Sequence, residues 1–247
     1  MDDKIYFISD SHFKYHNIGE SEREKQALFL GFLDQIAGAR RLYLVGDIFD
    51  FWFEYRSVIP RYYGNILEGL RNLRRSGTEI FITGGNHDFW VGPYLTNEIG
   101  LTPLPPLSTH LLQGRTVTIT HGDLLLPGDY GYKALKAVIR SRPAVALARI
   151  LHPDLLYGFA SRFSRASKGI THGRTREARD TLVRIAPDSF FQWGNDTFIM
   201  GHIHLPGIER FDNKVFIILG DWEEHFSYAC LENGEFELKF YRAGDSS

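Results

Sequence analysis

Short, nearly unbroken apolar runs alternate with longer amphipathic stretches through the first half of the chain. Ile5-Tyr6-Phe7-Ile8-Ser9-Asp10, Arg41-Leu42-Tyr43-Leu44-Val45 and Thr78-Glu79-Ile80-Phe81-Ile82-Thr83 have the length and the β-branched or aromatic content of buried strands. Between them, residues 21–38 place Ala27, Leu28, Leu30, Phe32, Leu33 and Ile36 at helical spacing, and residues 59–76 put Ile66, Leu67, Leu70 and Leu73 on one face. This β-α-β-α-β order predicts a mostly parallel sheet with helices on its faces. Leu101 to Gln113 reads as a proline-rich connection with an edge strand, and Arg115–Thr120 as a further strand.

The pattern then changes. Residues 130–186 read as wholly helical, over 130–141, 144–151, 153–166 and 171–186, with Pro143 and Pro153 where a first helical turn tolerates them. Strand patterning resumes at Thr197–Met200 and continues through Ile208–Phe211, Val215–Leu219, Ser227–Leu231 and Phe236–Tyr241. Turn residues at Asp212-Asn213 and Glu232-Asn233-Gly234 link these runs, so the second half is predicted to be antiparallel. Two halves that each give a sheet predict an α/β fold, a four-layer α/β/β/α sandwich. It forms a single domain, 1–247, with a helical insertion at 130–186 capping the sheet.

Composition adds two constraints. The formal charge of −2 over 247 residues hides an asymmetry: Tyr130 to Arg184 holds twelve Lys/Arg against three Asp/Glu. A basic segment in an otherwise acidic chain suggests an anionic partner such as phosphate, nucleic acid or a lipid surface; the plainer alternative is a solvated helical face. Cys230 is the single cysteine, which excludes an internal disulfide and a thiolate zinc site and fits a reducing compartment. No secretory leader is expected before the first strand, and no apolar run reaches the roughly 18–20 residues of a spanning helix. These features predict a cytoplasmic protein with peripheral membrane contact still open.

Five predicted strand ends carry polar clusters: Asp10-Ser11-His12, Gly46-Asp47-x-x-Asp50, Gly85-Asn86-His87-Asp88, His121-Gly122-Asp123 and Gly201-His202-Ile203-His204. Any one of them reads as a turn or a helix cap. Gathered at one sheet edge, where open α/β sheets bind ligands, they assemble carboxylates and imidazoles whose burial is costly without a counter-charge. A divalent metal supplies it. Donors of His, Asp and Asn type, without Cys, suit Mn, Fe, Co or Zn rather than Ca or Mg alone. Seven candidate ligands are too many for one ion and suffice for two if a carboxylate bridges.

In this order the clusters resemble the calcineurin-like metallophosphoesterase superfamily, whose pattern runs D-x-H, G-D-x-x-D, G-N-H-D, H and G-H-x-H. The resemblance implies one ion held by Asp10, His12, Asp47 and His204. A second would be held by Asp47, Asn86, His121 and His202, with Asp47 bridging and Asp50 outside the ligand set. It further implies His87 beside the metals as acid or transition-state stabiliser, with Asp88 orienting it. The reaction so implied is in-line attack on phosphorus by water activated between two cations, with no covalent enzyme intermediate.

Within that superfamily, Asp47-Ile48-Phe49-Asp50-Phe51-Trp52, His121-Gly122-Asp123-Leu124, Asp129-Tyr130-Gly131-Tyr132 and Arg165-Ala166-Ser167-Lys168 resemble the UDP-2,3-diacylglucosamine pyrophosphatase family of lipid A synthesis. The resemblance implies cleavage at the α-phosphorus to UMP and 2,3-diacylglucosamine 1-phosphate. It also implies manganese as the metal and a peripheral place on the cytoplasmic face of the inner membrane. Substrate contacts so implied are Asn86, Asp129, Ser167 and His202, then Trp52, Tyr132, Arg165 and Lys168. The insertion suits an amphipathic nucleotide-lipid, because its Leu, Ile and Phe positions interleave with Arg and Lys; the alternative is that those apolar faces pack on one another. Two features depart from the family: His87 stands where well-known members have Arg, and the insertion matches only loosely after residue 140.

A metallophosphoesterase of other specificity is the first rival: a nuclease, cyclic-nucleotide phosphodiesterase, protein phosphatase, or hydrolase of another nucleotide diphosphate or lipid phosphodiester. A nuclease calls for a long basic groove; here positive charge is confined to one apolar-rich insertion, so no nucleic acid is expected. A non-catalytic scaffold is the second rival. It predicts lost ligands, and all seven are present.

Overall fold

The computed structural model describes residues 2–16, 18–125, 136–160, 175–192 and 194–244. The first half forms as predicted: β1 (Asp2–Ile8), α1 (Glu20–Gln35), β2 (Ala39–Val45), α2 (Gly64–Arg75) and β3 (Glu79–Thr83). A π-helical turn at Tyr94–Ile99 and the two-residue β4 (Thr102–Pro103) follow, then the hairpin β5 (Leu107–Leu112) and β6 (Arg115–Thr120). Described helices after β6 include α3 (Arg142–Ile150) and α4 (Thr175–Ser189), and residues 136–139 and 153–160 are also helical. The predicted helical stretches 130–135 and 161–174 lie outside the described residues. The chain ends with β7 (Thr197–Met200), β8 (Gly207–Phe211), β9 (Lys214–Ile218), β10 (Ser227–Glu232) and β11 (Glu235–Phe240).

Two sheets result, in the orders β11-β10-β1-β2-β3-β4 and β5-β6-β7-β9-β8. The expectation of an antiparallel second half is corrected in two respects. Strands β6, β7 and β9 are parallel to one another, with β5 and β8 antiparallel at the edges. The β10–β11 hairpin leaves that half and joins the first sheet, where Tyr6 of β1 pairs antiparallel with Cys230. The turn Asn233-Gly234, with φ of 52° and 80°, was legible as a hairpin signal; the hairpin's host sheet is a long-range choice that local pattern does not encode.

Period-two alternation sorts each strand between two cores. Ile5, Phe7, Val117, Ile119, Ile199, Val215 and Ile217 fill the space between the sheets. Ile8, Leu42, Leu44, Ile80 and Ile82 face α1 and α2, meeting Phe29, Phe32, Leu33, Ile66, Leu67 and Leu70. Phe198, Met200, Phe216 and Ile218 face the other way, onto Leu182 and Ala186 of α4. Burial on both faces is why the strands read as continuous apolar runs. α4, predicted as the last helix of the cap, is thus the fourth layer of the sandwich. Across the inner face of the first sheet, Phe7, Tyr43 and Phe81 lie in register and stack with centroid spacings of 4.9 Å. The ends of β1, β2 and β3 and those of β6, β7 and β9 come out along one side, so the site is built from two facing sheet edges rather than one.

Candidate metal centre

The turn after β1 continues the pairing with the turn after β2. Asp10, His12 and Phe13 donate their N–H groups to the carbonyls of Gly46, Asp47 and Ile48, each at 3.0 Å. The path bends sharply, because Asp10, His12 and Asp47 take φ of 53°, 43° and 52°, and His202 takes 66°. Asp and His tolerate this left-handed region better than most residues with a Cβ. Gly46, at φ +80°, could not be replaced: a Cβ there would lie 2.6 Å from His121 Nδ1 and 2.9 Å from Gly85 Cα. A Cβ on Gly85 would strike the Asp47 side chain and its amide nitrogen. The two glycines let three loops meet at Asp47.

Seven of the predicted side chains converge there. Asp47 Oδ2 stands 3.3 Å from His121 Nε2 on one side and 3.8 Å from His12 Nε2 on the other. His12 Nε2 is 3.3 Å from His204 Nε2, and Asp10 Oδ1 faces those two nitrogens at 3.8 and 3.4 Å. On the far side, Asn86 Oδ1 is 3.2 Å from His121 Nε2, and the His121 and His202 rings are 5.3 Å apart. Asp10, His12 and His204 form one compact ligand group, and Asp47, His121 and His202 another. The donor set fits divalent metal. Asp10 Oδ1 is fully buried and accepts no hydrogen bond among the described residues, although it points at two imidazoles; a cation is the missing partner such an oxygen calls for.

Backbone groups fix the tautomers and the loops. His121 Nδ1 donates to the Val45 carbonyl at 3.0 Å, which turns Nε2 to the site. His87 Nδ1 donates to the Asp50 carbonyl at 2.8 Å, and its ring meets that of His12 edge-on at 4.8 Å. The residue that orients His87 is therefore Asp50. Asp88, expected in that role, instead spends both carboxylate oxygens on backbone: Oδ1 accepts from Asp47 N at 2.9 Å and Gly85 N at 2.8 Å, and Oδ2 from Ile48 N at 2.7 Å and Phe49 N at 3.3 Å. It braces the Gly46–Phe49 loop against the Gly85–Asp88 loop.

The electrostatics follow from burying these groups together. Burial pushes Asp88 up to about 6, aided by the Asp47 charge. Burial works against the charge on Asp47 too, yet His121, His87 and His12 hold it well below the usual range. Burial would lower His121, but the Asp47 carboxylate beside it raises it to about 10; Asp10 raises His204 against burial to about 9 in the same way. His202, buried and next to His121, falls to about 4. The buried carboxylates thus favour the charged form of two imidazoles, the same demand for positive charge that a cation would meet.

The model of the calcineurin-like phosphoesterase family matches residues 3–206. The chain belongs to that family. The phosphoesterase is also similar to three proteins named UDP-2,3-diacylglucosamine hydrolase. That of Porphyromonas gingivalis is 32% identical over 254 residues, covering 94% of this chain and 95% of the relative. That of Pseudomonas fluorescens SBW25 is 31% identical, covering 95% and 94%. That of Neisseria meningitidis serogroup B is 30% identical, covering 92% of each.

Among the other expected contacts, Asp129, Tyr132, Arg165, Ser167 and Lys168 of the phosphoesterase lie outside the described residues. Trp52 belongs to the core: it is 0% exposed, packs on Phe49 and Tyr63, and donates from its indole nitrogen to Glu54 at 3.2 Å. An aromatic at 52 supports the Asp50 loop from beneath and does not reach a ligand. Three groups near the centre went unread in the sequence. Lys136 pairs with Asp123, and Arg140 donates to the Gly85 carbonyl at 2.6 Å, so two cations of the basic segment border the centre. Asp221 follows β9 as Gly220-Asp221, the same strand-end signal as Gly46-Asp47, and accepts from the N–H groups of Glu223, Glu224 and His225.

Proposed function

We propose that this phosphoesterase hydrolyses the diphosphate of UDP-2,3-diacylglucosamine at the α-phosphorus, releasing UMP and 2,3-diacylglucosamine 1-phosphate, as a step of lipid A synthesis. The observation that carries this reading is a cluster of three overlapping ligand groups, two of them containing Asp47, together with relatives of that name matched over nearly their whole length. Two divalent ions, manganese by likeness to the hydrolase relatives, would sit in Asp10-His12-Asp47-His204 and Asp47-Asn86-His121-His202. Bound there, they supply Lewis acidity and acidify water.

The chain's own groups do the rest. Asp47 holds the two halves in register, and Asn86 presents its amide to the phosphoryl oxygens. His87, with its Nδ1 proton committed to the Asp50 carbonyl, turns its other nitrogen to the ligand. Lys136 and Arg140 add positive charge on the side of Gly85, and Arg165 and Lys168 are further candidate substrate contacts. Asp129, Ser167 and Tyr132 contact the sugar and phosphates in this reading. The helices between 136 and 160, ahead of α4, contribute the cap. Leu147, Ile150, Leu155 and Phe159 are exposed on its helices, and Arg142 and Arg149 are exposed on α3, which supports peripheral contact with an anionic membrane. Among the described residues, no helix is long and apolar enough to cross a membrane.

A second reading, another nucleotide diphosphate as substrate, draws on His87 in the position of the family arginine. The deciding assay compares turnover of UDP-2,3-diacylglucosamine with that of a UDP-sugar lacking acyl chains, in ¹⁸O-water. Preference for the acylated substrate with label in UMP is expected. Equal turnover of both favours the second reading, and label in the sugar phosphate refutes attack at the α-phosphorus.

A further inference from the structure

The turn that carries Asp10 and His12 has its three successive carbonyls satisfied from outside. Asp10 O accepts from the Trp222 N–H at 3.1 Å. Ser11 O and His12 O accept from a single donor, the ammonium of Lys25 on α1, at 2.8 and 3.2 Å. Lys25 is 6% exposed, an unusual place for a lysine. Its ammonium is 3.0 Å from the carboxylate of Glu22, which is itself 3% exposed and also accepts the Lys14 N–H at 3.1 Å. Glu223, on the loop after β9, lies 3.8 Å away. A lysine has three N–H donors and no acceptor, which matches two carbonyls and a carboxylate. The turn it clamps holds two residues at positive φ, a conformation that persists only where the surroundings over-determine it.

We propose that Lys25 is a positioning residue for the first metal site: it fixes the backbone of the Asp10–His12 turn and so the place of the His12 imidazole against Asp10, Asp47 and His204. The proposal rests on the two-ion reading above. The two sites share Asp47, and the His202 N–H donates to Asp10 Oδ2 at 2.8 Å, but Lys25 itself donates to no group of Asp10, Asn86, His121 or His202. Loss of Lys25 therefore weakens one ion and spares the other.

The test is Mn²⁺ titration of the full chain, followed by calorimetry and by the exchange-coupled dinuclear EPR signal. It uses wild type, Lys25→Met paired with Glu22→Gln, and the same pair in a His121→Ala background that leaves the first site alone. Expected is an affinity for the first ion weaker by about 10–100-fold, the range for lost support of a ligand, with the second ion's affinity unchanged and the coupled signal lost at matched Mn²⁺. Wild-type affinities at both sites overturn the proposal. Equal weakening of both overturns it as well, since that is what a general loss of packing gives. Lys25→Gln keeps two N–H donors on a shorter, uncharged side chain and serves if the paired variant does not fold; it too must weaken the first ion alone, and unchanged affinities refute the role. If wild type holds a single ion, the two-ion reading fails, while the role of Lys25 stands or falls on whether that ion's affinity follows the substitution.

Discussion

Replacing Asp88 by Asn separates two roles that the same residue could hold. The carboxylate accepts four backbone N–H groups, two on each oxygen, from Asp47, Gly85, Ile48 and Phe49. An amide keeps one acceptor oxygen and turns an NH₂ donor toward the other pair. Two buried N–H groups then lose their partner, at about 1–3 kcal/mol each. The net loss is roughly 2–5 kcal/mol, because the carboxylate's own burial, which pushes it up to about 6, is relieved. For a domain of this size that corresponds to a fall in thermal midpoint of roughly 4–20 °C. Activity should fall with it, since the two loops so joined carry Asp47 and Asn86. A double-mutant cycle with His87→Ala decides the mechanism. A brace that acts on the loops predicts stability losses that add within about 0.5 kcal/mol, because His87 is held by the Asp50 carbonyl. If instead Asp88 works by orienting His87, its effect on kcat should vanish once His87 is gone. Asp88→Asn with wild-type stability and rate would refute the brace outright.

Three further outcomes can be measured on the purified protein. His121→Ala removes a ligand of the second group, and metal-dependent hydrolysis of a chromogenic phosphodiester should drop by at least about 100-fold; a full rate in metal-loaded protein is incompatible with the two-ion reading. Arg140→Met removes the donor to the Gly85 carbonyl and a cation at the edge of the centre, so KM for a nucleotide diphosphate should rise about tenfold with kcat nearly unchanged; an equal fall in both would place Arg140 in the chemistry instead. Burial opposes ionisation of Asp221, but the N–H groups of Glu224, His225 and Glu223 and the His225 ring hold it below the usual carboxylate range. Its folded value is depressed, so its stabilisation is present above the unfolded value near 3.9 and is lost as pH falls through the folded value. Asp221→Asn should flatten that acid limb in denaturation curves taken from pH 5 downward, and an unchanged limb would show that Asp221 makes no such contribution.

Local pattern reached the ligands because each sits where an apolar run stops. Asp10, Asp47, Asn86, His121 and His202 all follow strands whose burial on both faces makes them easy to see. It failed where a partner lies far along the chain. Asp88 sits in the predicted cluster, but that its oxygens point to the Gly46–Phe49 loop rather than to the adjacent His87 depends on how two loops pack. Trp52 follows the Asp47 loop in sequence and is expected there as a substrate contact; the fold turns it inward onto Phe49 and Tyr63. Lys25 is one charge among many on an amphipathic helix until α1 is laid against the turn after β1. The placement of β10 and β11 in the first sheet is of the same kind, since a hairpin signal fixes a turn and leaves the host sheet open.

The ligand types have a conformational reason as well as a chemical one. Asp10, His12, Asp47 and His202 occupy positive φ, where most residues with a Cβ are strained by about 1–3 kcal/mol and Asp and His by less. Glycine would relieve the strain and supply no donor; a β-branched residue would do neither. The motif positions are therefore filled by residues that tolerate the bend and bind a cation through the same short side chain. That double demand has to be held in place from outside: by Asp88 under the Asp47 loop, by the Trp222 N–H on Asp10, and by Lys25 on Ser11 and His12. Those contacts fix the bends from within the chain, so the ligand side chains are presented by backbone that Asp88, Trp222 and Lys25 hold in place.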